Sequence, residues 1–332
     1  MSSGYTVPMK LPHLEAALRD CGSASAEVRW VAAMALGVQD VGGRGESVKA
    51  LEALCDDEVQ EVRAQAIEGL AEQVRAGAEI SSRRILEGVK DDSDMVRCAA
   101  VANLDLFLDD AAARASQMLA DSQPSVRATA ARMLADLRAG EYLENLAPLL
   151  NDDDDVVSEE VAFSMVILGD VRGRDRVVDM LREGLPTAIR SAQALADLGD
   201  HTAVPALKEV VSGWLIDPEL KSVAAAALVR CGSEEGRNVL GKMLSSRRET
   251  VRMAALQALV GTPVTGMAGA VADIVLRSSS MEASAAISAL LSLWRVESDQ
   301  VERAFQSLEG KLDSDLAGEL QEGKLELEGD GE

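Results

Sequence analysis

The chain contains a short pattern of apolar and polar positions that recurs along most of its length. In residues 96–104 it reads Val-Arg-x-x-Ala-x-x-x-Leu, and the same order begins at positions 28, 62, 126 and 251. Weaker copies begin at positions 157, 187, 220 and 282, so that nine copies follow one another at intervals of 30 to 34 residues. Positions one, five and nine of the pattern lie on one face of an α-helix. The pattern therefore predicts a stack of repeats that bury this face against one another.

A second helical pattern lies between successive copies of the first. Leucine and valine recur at helical spacing in residues 142–150 and 203–211, and each stretch follows a break that contains Gly or Asp. Each repeat is therefore predicted to consist of helix A, a tight turn, helix B and a short link. Helices of about 10 to 15 residues are marginal alone in water, so each repeat must be covered by its neighbours.

Charged residues recur with the apolar ones at the start of helix B. An aspartate stands five residues before position one in four repeats, and arginine occupies position two in five. Aspartate at a helix start accepts hydrogen bonds from free backbone N–H groups. The recurrence of both residue types predicts a ladder of charged hydrogen bonds between stacked repeats. The residues assigned to this ladder are Asp57, Arg63, Asp91, Arg97, Asp121 and Arg127.

The combined unit Asp-x-x-x-x-Val-Arg-x-x-Ala-x-x-x-Leu resembles the HEAT repeat, in the short form first described in phycobilisome-lyase subunits. The link of residues 198–207, Leu-Gly-Asp-His-Thr-Ala-Val-Pro-Ala-Leu, is similar too, and the likeness extends over roughly residues 11–295. The resemblance implies an all-α fold, a right-handed α-solenoid of about nine two-helix repeats with a C-terminal capping helix. It implies no single function, because HEAT-like arrays serve as scaffolds, adaptors, inhibitors, lyase subunits and, in one branch, DNA glycosylases.

The pattern also predicts where the array changes and where it ends. Arginine is replaced at position two by Ser158, Ala188, Lys221 and Ala283, so the ladder is expected to break in the middle of the array. Residues 1–10 are predicted to be disordered, residues 11–308 to form the solenoid with its caps, and residues 309–332 to form a mobile acidic tail. Two roles for the tail stay open, namely solubilisation and contact with a basic partner.

Composition narrows the class of partner. The net charge of −23 repels phosphate backbones, so we expect no nucleic-acid binding and favour a protein partner with a basic segment. The same charge would also serve only to keep an elongated protein in solution. The sequence shows no signal-peptide core and no run of about 18 apolar residues, which predicts a cytoplasmic protein that does not enter a membrane. The four cysteines form no C-x-x-C pair and are expected to be reduced.

The candidate chemistry is sparse, and we expect no catalysis, no cofactor and no metal site. The two histidines, His13 and His201, belong to different repeats, which argues against a catalytic triad or a multi-histidine metal site. The glycines of residues 40–47 lack the Gly-Lys-Ser/Thr ending of a phosphate loop, and we interpret them as a link. The acids of residues 152–155 lack the ligand spacing of a calcium loop and are interpreted as a solvated helix start.

The positions of helix B that the buried stripe leaves free define a candidate partner-binding groove. In arrays that resemble this one, the B helices line the concave face. Apolar anchors rimmed by acids would suit a partner segment that carries Lys or Arg beside hydrophobic residues. Trp30 has the alternative role of covering the edge of the first repeat, and Phe163 that of a core residue. The residues assigned to this groove are Trp30, Val31, Met34, Glu61, Glu68, Glu72, Met95, Glu159, Glu160 and Phe163.

Four functions are compared on these grounds. A non-catalytic interaction scaffold or adaptor is favoured by the repetition and by the acidic groove. An inhibitor or immunity-type protein that neutralises a basic partner is compatible with the charge, and a lyase or regulatory subunit of the phycobilisome-lyase type rests on the resemblance alone. A DNA glycosylase is disfavoured, because it would need a basic concave face and aromatic side chains to hold a base.

Overall fold

The computed structural model describes residues 10–38, 45–213 and 215–329, and these residues form helices and connecting turns without a β-strand. The predicted disorder of residues 1–10 falls almost wholly outside the described residues, as does most of the predicted link at residues 40–47. The chain divides into two compact units, Met1–Leu168 and Gly169–Glu332, which are considered separately below.

The described residues of the first unit form ten α-helices, with short 3₁₀-helices in several of the connections. They are α1 Leu14–Asp20, α2 Ala26–Val38, α3 Glu46–Leu54, α4 Gln60–Arg75, α5 Arg83–Gly88, α6 Asp94–Val101, α7 Ala111–Met118, α8 Pro124–Asp136, α9 Leu143–Leu146 and α10 Asp155–Ile167. Helices α2, α4, α6, α8 and α10 are the predicted B helices, and each packs against the next one in this order.

The second unit contains nine α-helices within its described residues. They are α11 Arg174–Asp179, α12 Leu185–Leu198, α13 Val204–Ser212, α14 Pro218–Arg230, α15 Glu234–Leu244, α16 Glu249–Gly261, α17 Ala268–Arg277, α18 Ser280–Leu308 and α19 Ser314–Gly329. Here α12, α14, α16 and the first part of α18 are the B helices, and they again pack in sequence.

The stripe of positions one, five and nine forms the core of both units. In repeat two its members Val62, Ala66 and Leu70 have no exposed surface at all. Val28 is an exception, with 38% of its surface exposed, because no B helix precedes α2 among the described residues. Burial of this stripe between stacked helices confirms the predicted all-α solenoid architecture.

Small residues set how closely neighbouring helices approach. A Cβ atom added to Gly236 of α15 would lie 2.1 Å from the carbonyl oxygen of Ala225 and 2.8 Å from Cβ of Leu228, both in α14. A Cβ atom on Gly241, in the same helix, would meet nothing within 4 Å. The two glycines of α15 therefore have different roles. Only Gly236 lies where the absence of a side chain lets the backbones of α14 and α15 come into contact.

This difference yields a prediction. We expect Gly236→Ala to lower the free energy of unfolding by about 2 kcal/mol or more, because backbone atoms must move apart to admit the methyl group. Gly241→Ala is the matched control, and we expect it to raise stability by up to about 1 kcal/mol through helix propensity. Urea unfolding of both variants checks the prediction, which fails if the two substitutions shift stability in the same direction by the same amount.

The C-terminal segment differs from the prediction of a mobile acidic tail. Residues 314–329 form α19, which packs on α18 with Leu320 only 7% exposed. The ammonium group of Lys324 lies 4.7 Å from the centre of the Phe305 ring, and the hydroxyl of Ser284 donates a hydrogen bond to Glu319. The prediction gave weight to the acids and glycines and overlooked leucines at helical spacing. The boundary of the solenoid at residue 308 stays a prediction.

Candidate functional site

The charged residues at the start of the B helices join neighbouring repeats of the first unit. Nε and Nη2 of Arg63 donate hydrogen bonds to the Asp91 carboxylate at 2.9 and 2.7 Å, and Nη1 donates to the carbonyl oxygen of Asp57 at 3.0 Å. Each arginine thus binds the turn of its own repeat and the aspartate of the next one. The rungs of this ladder in the first unit are Arg29–Asp57, Arg63–Asp91, Arg97–Asp121 and Arg127–Asp152.

Each ladder aspartate also shapes the turn that precedes its helix. One carboxylate oxygen of Asp57 accepts a hydrogen bond from the backbone N–H of Val59, two residues later, at 2.9 Å. The aspartates therefore stabilise the turn before the helix, and in repeat two this turn lies directly before α4, which begins after Val59. Burial tends to raise the pKa of Asp57, but the hydrogen bonds from Arg29 and from Val59 hold this pKa below its usual value.

The second unit contains a rung with a different acid. Arg252 donates to both carboxylate oxygens of Glu282 at 2.5 and 2.7 Å, and the Glu282 side chain is almost completely buried. Glu282 occupies position one of repeat nine, which is apolar in most repeats, so the sequence pattern did not suggest this pair. A glutamate at an apolar position, one repeat after an arginine at position two, was the available signal.

A groove with a volume of about 580 Å³ crosses the B helices of the first unit. Position seven of repeats two, three and four contributes Glu68, Ala102 and Arg132, which shows that one face of the B helices points into it. The residues that line it are Trp30, Glu61, Ala64, Gln65, Glu68, Met95, Cys98, Ala99, Ala102, Ser125, Ala128, Thr129, Arg132 and Val156. We call this surface the B-helix groove. It contains four of the ten residues assigned to partner binding, namely Trp30, Glu61, Glu68 and Met95.

The assigned apolar anchors are more buried than the sequence led us to expect. Trp30 borders the groove but is only 4% exposed, and Phe163 is 2% exposed and does not line the groove. Val31 and Met34 are partly buried and pack against the core of the first repeats. Phe163 is buried because α10 is covered on nearly all sides from Val157 to Val166. The second interpretation of Phe163, a core residue, is therefore the one that the structure shows.

The assigned acids divide into two groups. Glu61 and Glu68 line the groove, whereas Glu72, Glu159 and Glu160 do not. Glu72 pairs with Arg75 at 2.7 Å, and Glu160 is buried and pairs with Arg132 at 3.0 Å. Arg132 was not among the residues assigned from the sequence, although position seven had already suggested Glu68 in repeat two.

Glu68 is an acid of the groove whose pKa is shifted from its usual value. Burial raises the pKa of its carboxyl group, and a hydrogen bond from the Asn103 amide at 3.3 Å and the nearby Arg75 offset this only in part. A carboxylate with little water around it gains more from a cation than one in open solvent. The floor beside it consists of small side chains such as Ala64, Ala99 and Ala128, so a bound segment can approach the helices closely.

Two further features are absent from the described residues. No group of three or more His, Cys, Asp or Glu side chains in that part of the chain could hold a metal ion. No described helix combines the length and the apolar character required to cross a membrane. The predicted cytoplasmic location is not tested by these findings and stays a prediction.

Stacked two-helix repeats with a ladder of charged rungs define an α-solenoid repeat protein, a class that uses extended concave surfaces for binding. A family model of HEAT repeats matches residues 11–105 and 111–193, together more than half of the chain. The chain therefore belongs to the HEAT-repeat family. A search of curated protein sequences finds no match.

Several solved structures are similar to this chain. Importin beta is 11% identical over 89% of this chain and 49% of its own, with a TM-score of 0.51. The complex of CpcE and CpcF of phycocyanin lyase from Nostoc sp. PCC7120 is 18% identical over 74% of this chain and 99% of its own, with a TM-score of 0.48. The Escherichia coli protein YibA is 22% identical over 65% of this chain and 81% of its own, with a TM-score of 0.49. The likeness to importin beta shows the solenoid fold alone.

Proposed function

We propose that this HEAT-repeat protein is a non-catalytic scaffold that binds a basic, partly apolar segment of a protein partner in the B-helix groove. One observation supports this most directly. Small apolar side chains form part of the groove lining, and its two acids, Glu61 and Glu68, are not paired with Arg132, which instead binds Glu160. The groove therefore presents negative charge beside apolar surface, which a segment with Lys or Arg next to small hydrophobic residues complements.

The dimensions of the groove favour an extended segment. It crosses from α2 to α10, and successive helices that pack side by side lie about 8–10 Å apart, which gives a length of roughly 35 Å. An extended chain rises about 3.3 Å per residue, so about ten residues would span the groove. Ala102 directly follows α6 and is exposed at the centre of the groove. No larger side chain occupies this point.

A single substitution should block binding without disturbing the core. We expect Ala102→Trp to abolish binding, because the indole would fill the middle of the groove. Ala53→Trp is the matched control, since Ala53 is also exposed but lies on α3 and does not line the groove. The measurement is selection of random dodecapeptides displayed on phage, followed by fluorescence anisotropy of the enriched peptides.

The expected result has three parts. Wild type and Ala53→Trp select peptides rich in Lys or Arg beside apolar residues, Ala102→Trp does not bind them, and salt weakens the binding. Peptides that bind Ala102→Trp as tightly as wild type would show that the groove is not the site. Enriched peptides without basic residues would contradict the role of Glu61 and Glu68.

A further inference from the structure

At one position in the second unit, the backbone turn that carries a ladder aspartate is present but the aspartate itself is missing. Lys221 replaces arginine at position two of repeat seven, and Ser246 stands in repeat eight where repeats two to five have the ladder aspartate. The Ser246 hydroxyl accepts a hydrogen bond from the backbone N–H of Arg248 at 3.2 Å, as a ladder aspartate does two residues before its own partner. Its carbonyl oxygen accepts from Arg252 at 2.9 Å, again as in a rung. The backbone geometry is therefore retained, and the carboxylate is missing.

A pocket with a volume of about 460 Å³ lies at this position, among α13, α14, α15 and α16. Lys221 and Ser246 both line it, together with Lys242 and Arg248. Its apolar wall is formed by Val211, Ile216, Pro218, Val239, Met243 and Val251. Small-molecule and side-chain pockets in proteins commonly have this combination of a mainly apolar wall and a few polar groups. We call it the rung pocket.

The charges of the rung pocket contrast with the rest of the chain. No acidic side chain is among its described lining residues, although the chain as a whole has a net charge of −23. Lys221, Lys242 and Arg248 form no ion pair with any described residue. Nearby cations do have such partners, since Lys208 pairs with Glu235 at 2.8 Å. Three cations without partners beside an apolar wall favour an anionic ligand with an apolar part.

We propose that the rung pocket binds an acidic segment of a protein partner. A carboxylate of that segment takes the place of the missing ladder acid beside Lys221, and a neighbouring apolar side chain packs against Val239 and Met243. A carboxylate is favoured over other anions because the other rungs use this group on the same turn geometry. This inference does not depend on the proposed function, because the rung pocket and the B-helix groove lie in different units and prefer opposite charges.

Substitution of Ser246 by aspartate provides the sharpest test. Aspartate is the residue that the four rungs of the first unit have at this position, so Ser246→Asp should pair with Lys221 and occupy the site from within the chain. Ser245→Asp is the matched control, because it adds the same charge one residue earlier on an exposed side chain that does not line the pocket. Lys221→Glu combined with Lys242→Glu removes the attraction altogether.

The probe is a phage-displayed library of random dodecapeptides, selected on full-length Ala102→Trp protein so that the B-helix groove is blocked. We expect peptides that carry Asp or Glu beside a large apolar residue. Their affinity should fall at least about tenfold in Ser246→Asp and in the double lysine variant, and should stay within about twofold in Ser245→Asp. Ser246→Asp should also raise the melting temperature relative to Ser245→Asp, which shows that it folds and forms the rung.

Three outcomes would overturn the proposal. The first is the absence of acidic peptides among those enriched, and the second is equal affinity in Ser246→Asp and Ser245→Asp. The third is displacement of the peptides by millimolar decanoate or inorganic phosphate at equal ionic strength, which would indicate a site for small anions. None of these results bears on the B-helix groove, whose own test uses basic peptides and wild-type protein.

Discussion

Replacement of Arg97 by methionine is expected to lower the free energy of unfolding by about 3 to 5 kcal/mol, a large part of the stability of an ordinary domain. Arg97 donates two hydrogen bonds to the carboxylate of Asp121, both at 2.9 Å, and one to the carbonyl oxygen of Asp91. Its side chain is only 12% exposed and that of Asp121 only 10%. Methionine fills a similar volume but leaves the Asp121 carboxylate partly buried without its cation.

The control for this prediction is an arginine that pairs on the surface. Arg83 pairs with Glu87 at 3.0 Å, but their side chains are 66% and 51% exposed, so Arg83→Met should cost less than about 1 kcal/mol. Urea unfolding at pH 7 gives both values. Equal costs for Arg83→Met and Arg97→Met would contradict a stabilising role of the ladder.

The pH dependence of the Arg97 variant provides a second measurement of the same rung. Burial tends to raise the pKa of Asp121, but Arg97 and the backbone N–H of Gln123 hold it below its usual value. A lowered pKa means that the rung stabilises the fold above the unfolded-state pKa of about 3.9, and that this stability is lost as the pH falls through the folded-state pKa. The difference between wild type and Arg97→Met should therefore shrink as the pH falls below about 4.

Replacement of Glu297 by alanine is the second large effect that we expect, with a cost of about 3 kcal/mol. Glu297 lies where α18 is interrupted, with φ −149° and ψ 50°, and its side chain is buried. Its carboxylate accepts hydrogen bonds from the backbone N–H groups of Gly266, Met267 and Ala268 at 2.5, 3.3 and 3.1 Å. Ala268 is the first residue of α17, and Gly266 and Met267 directly precede it. N–H groups at a helix start have no partner within the helix. Alanine would leave them buried or force α17 to move.

Glu302 provides the matched control for Glu297. It lies on the same helix and its side chain forms no hydrogen bond or ion pair with a described residue, so Glu302→Ala should change stability by less than about 0.5 kcal/mol. The loss of stability in Glu297→Gln should fall between those in Glu297→Ala and Glu302→Ala, because the amide keeps one acceptor oxygen and loses the charge. Hydrogen exchange at the backbone amides of Met267 and Ala268 measures the loss of these hydrogen bonds directly. Unchanged exchange at these amides in Glu297→Ala would contradict the capping role.

Much of the fold could be predicted from the spacing of a few residues within one repeat. Val62, Ala66 and Leu70 share one helical face whatever the neighbours are, so their burial follows from spacing alone. The prediction of a mobile tail was wrong where this rule was not applied, since Leu316 and Leu320 have the same spacing and Leu320 packs on α18. Composition suggested mobility there, and the apolar spacing indicated a helix.

The candidate sites could be predicted only in part. Position seven of helix B suggested Glu68, which lines the groove because one face of each B helix is turned the same way in successive repeats. The role of Phe163 depended on how fully the neighbours cover α10, and a sequence does not contain that information. The rung pocket was missed because it arises from two substitutions, Lys221 and Ser246, that lie in different repeats and have consequences only together.

The sequence by itself determined the repeat, the helical fold and the residues of the buried stripe, because these follow from the geometry of one helix. Only the tertiary structure decided which charges pair. Arg252 could have met any acid of the next repeat, and it is the packing of α16 against α18 that selects Glu282. The tertiary structure also decided which apolar residues stay accessible, since exposure depends on every helix that packs around a side chain. The pairing of charges and the exposure of side chains depend on several helices at once, whereas a periodic pattern in the sequence describes one helix at a time.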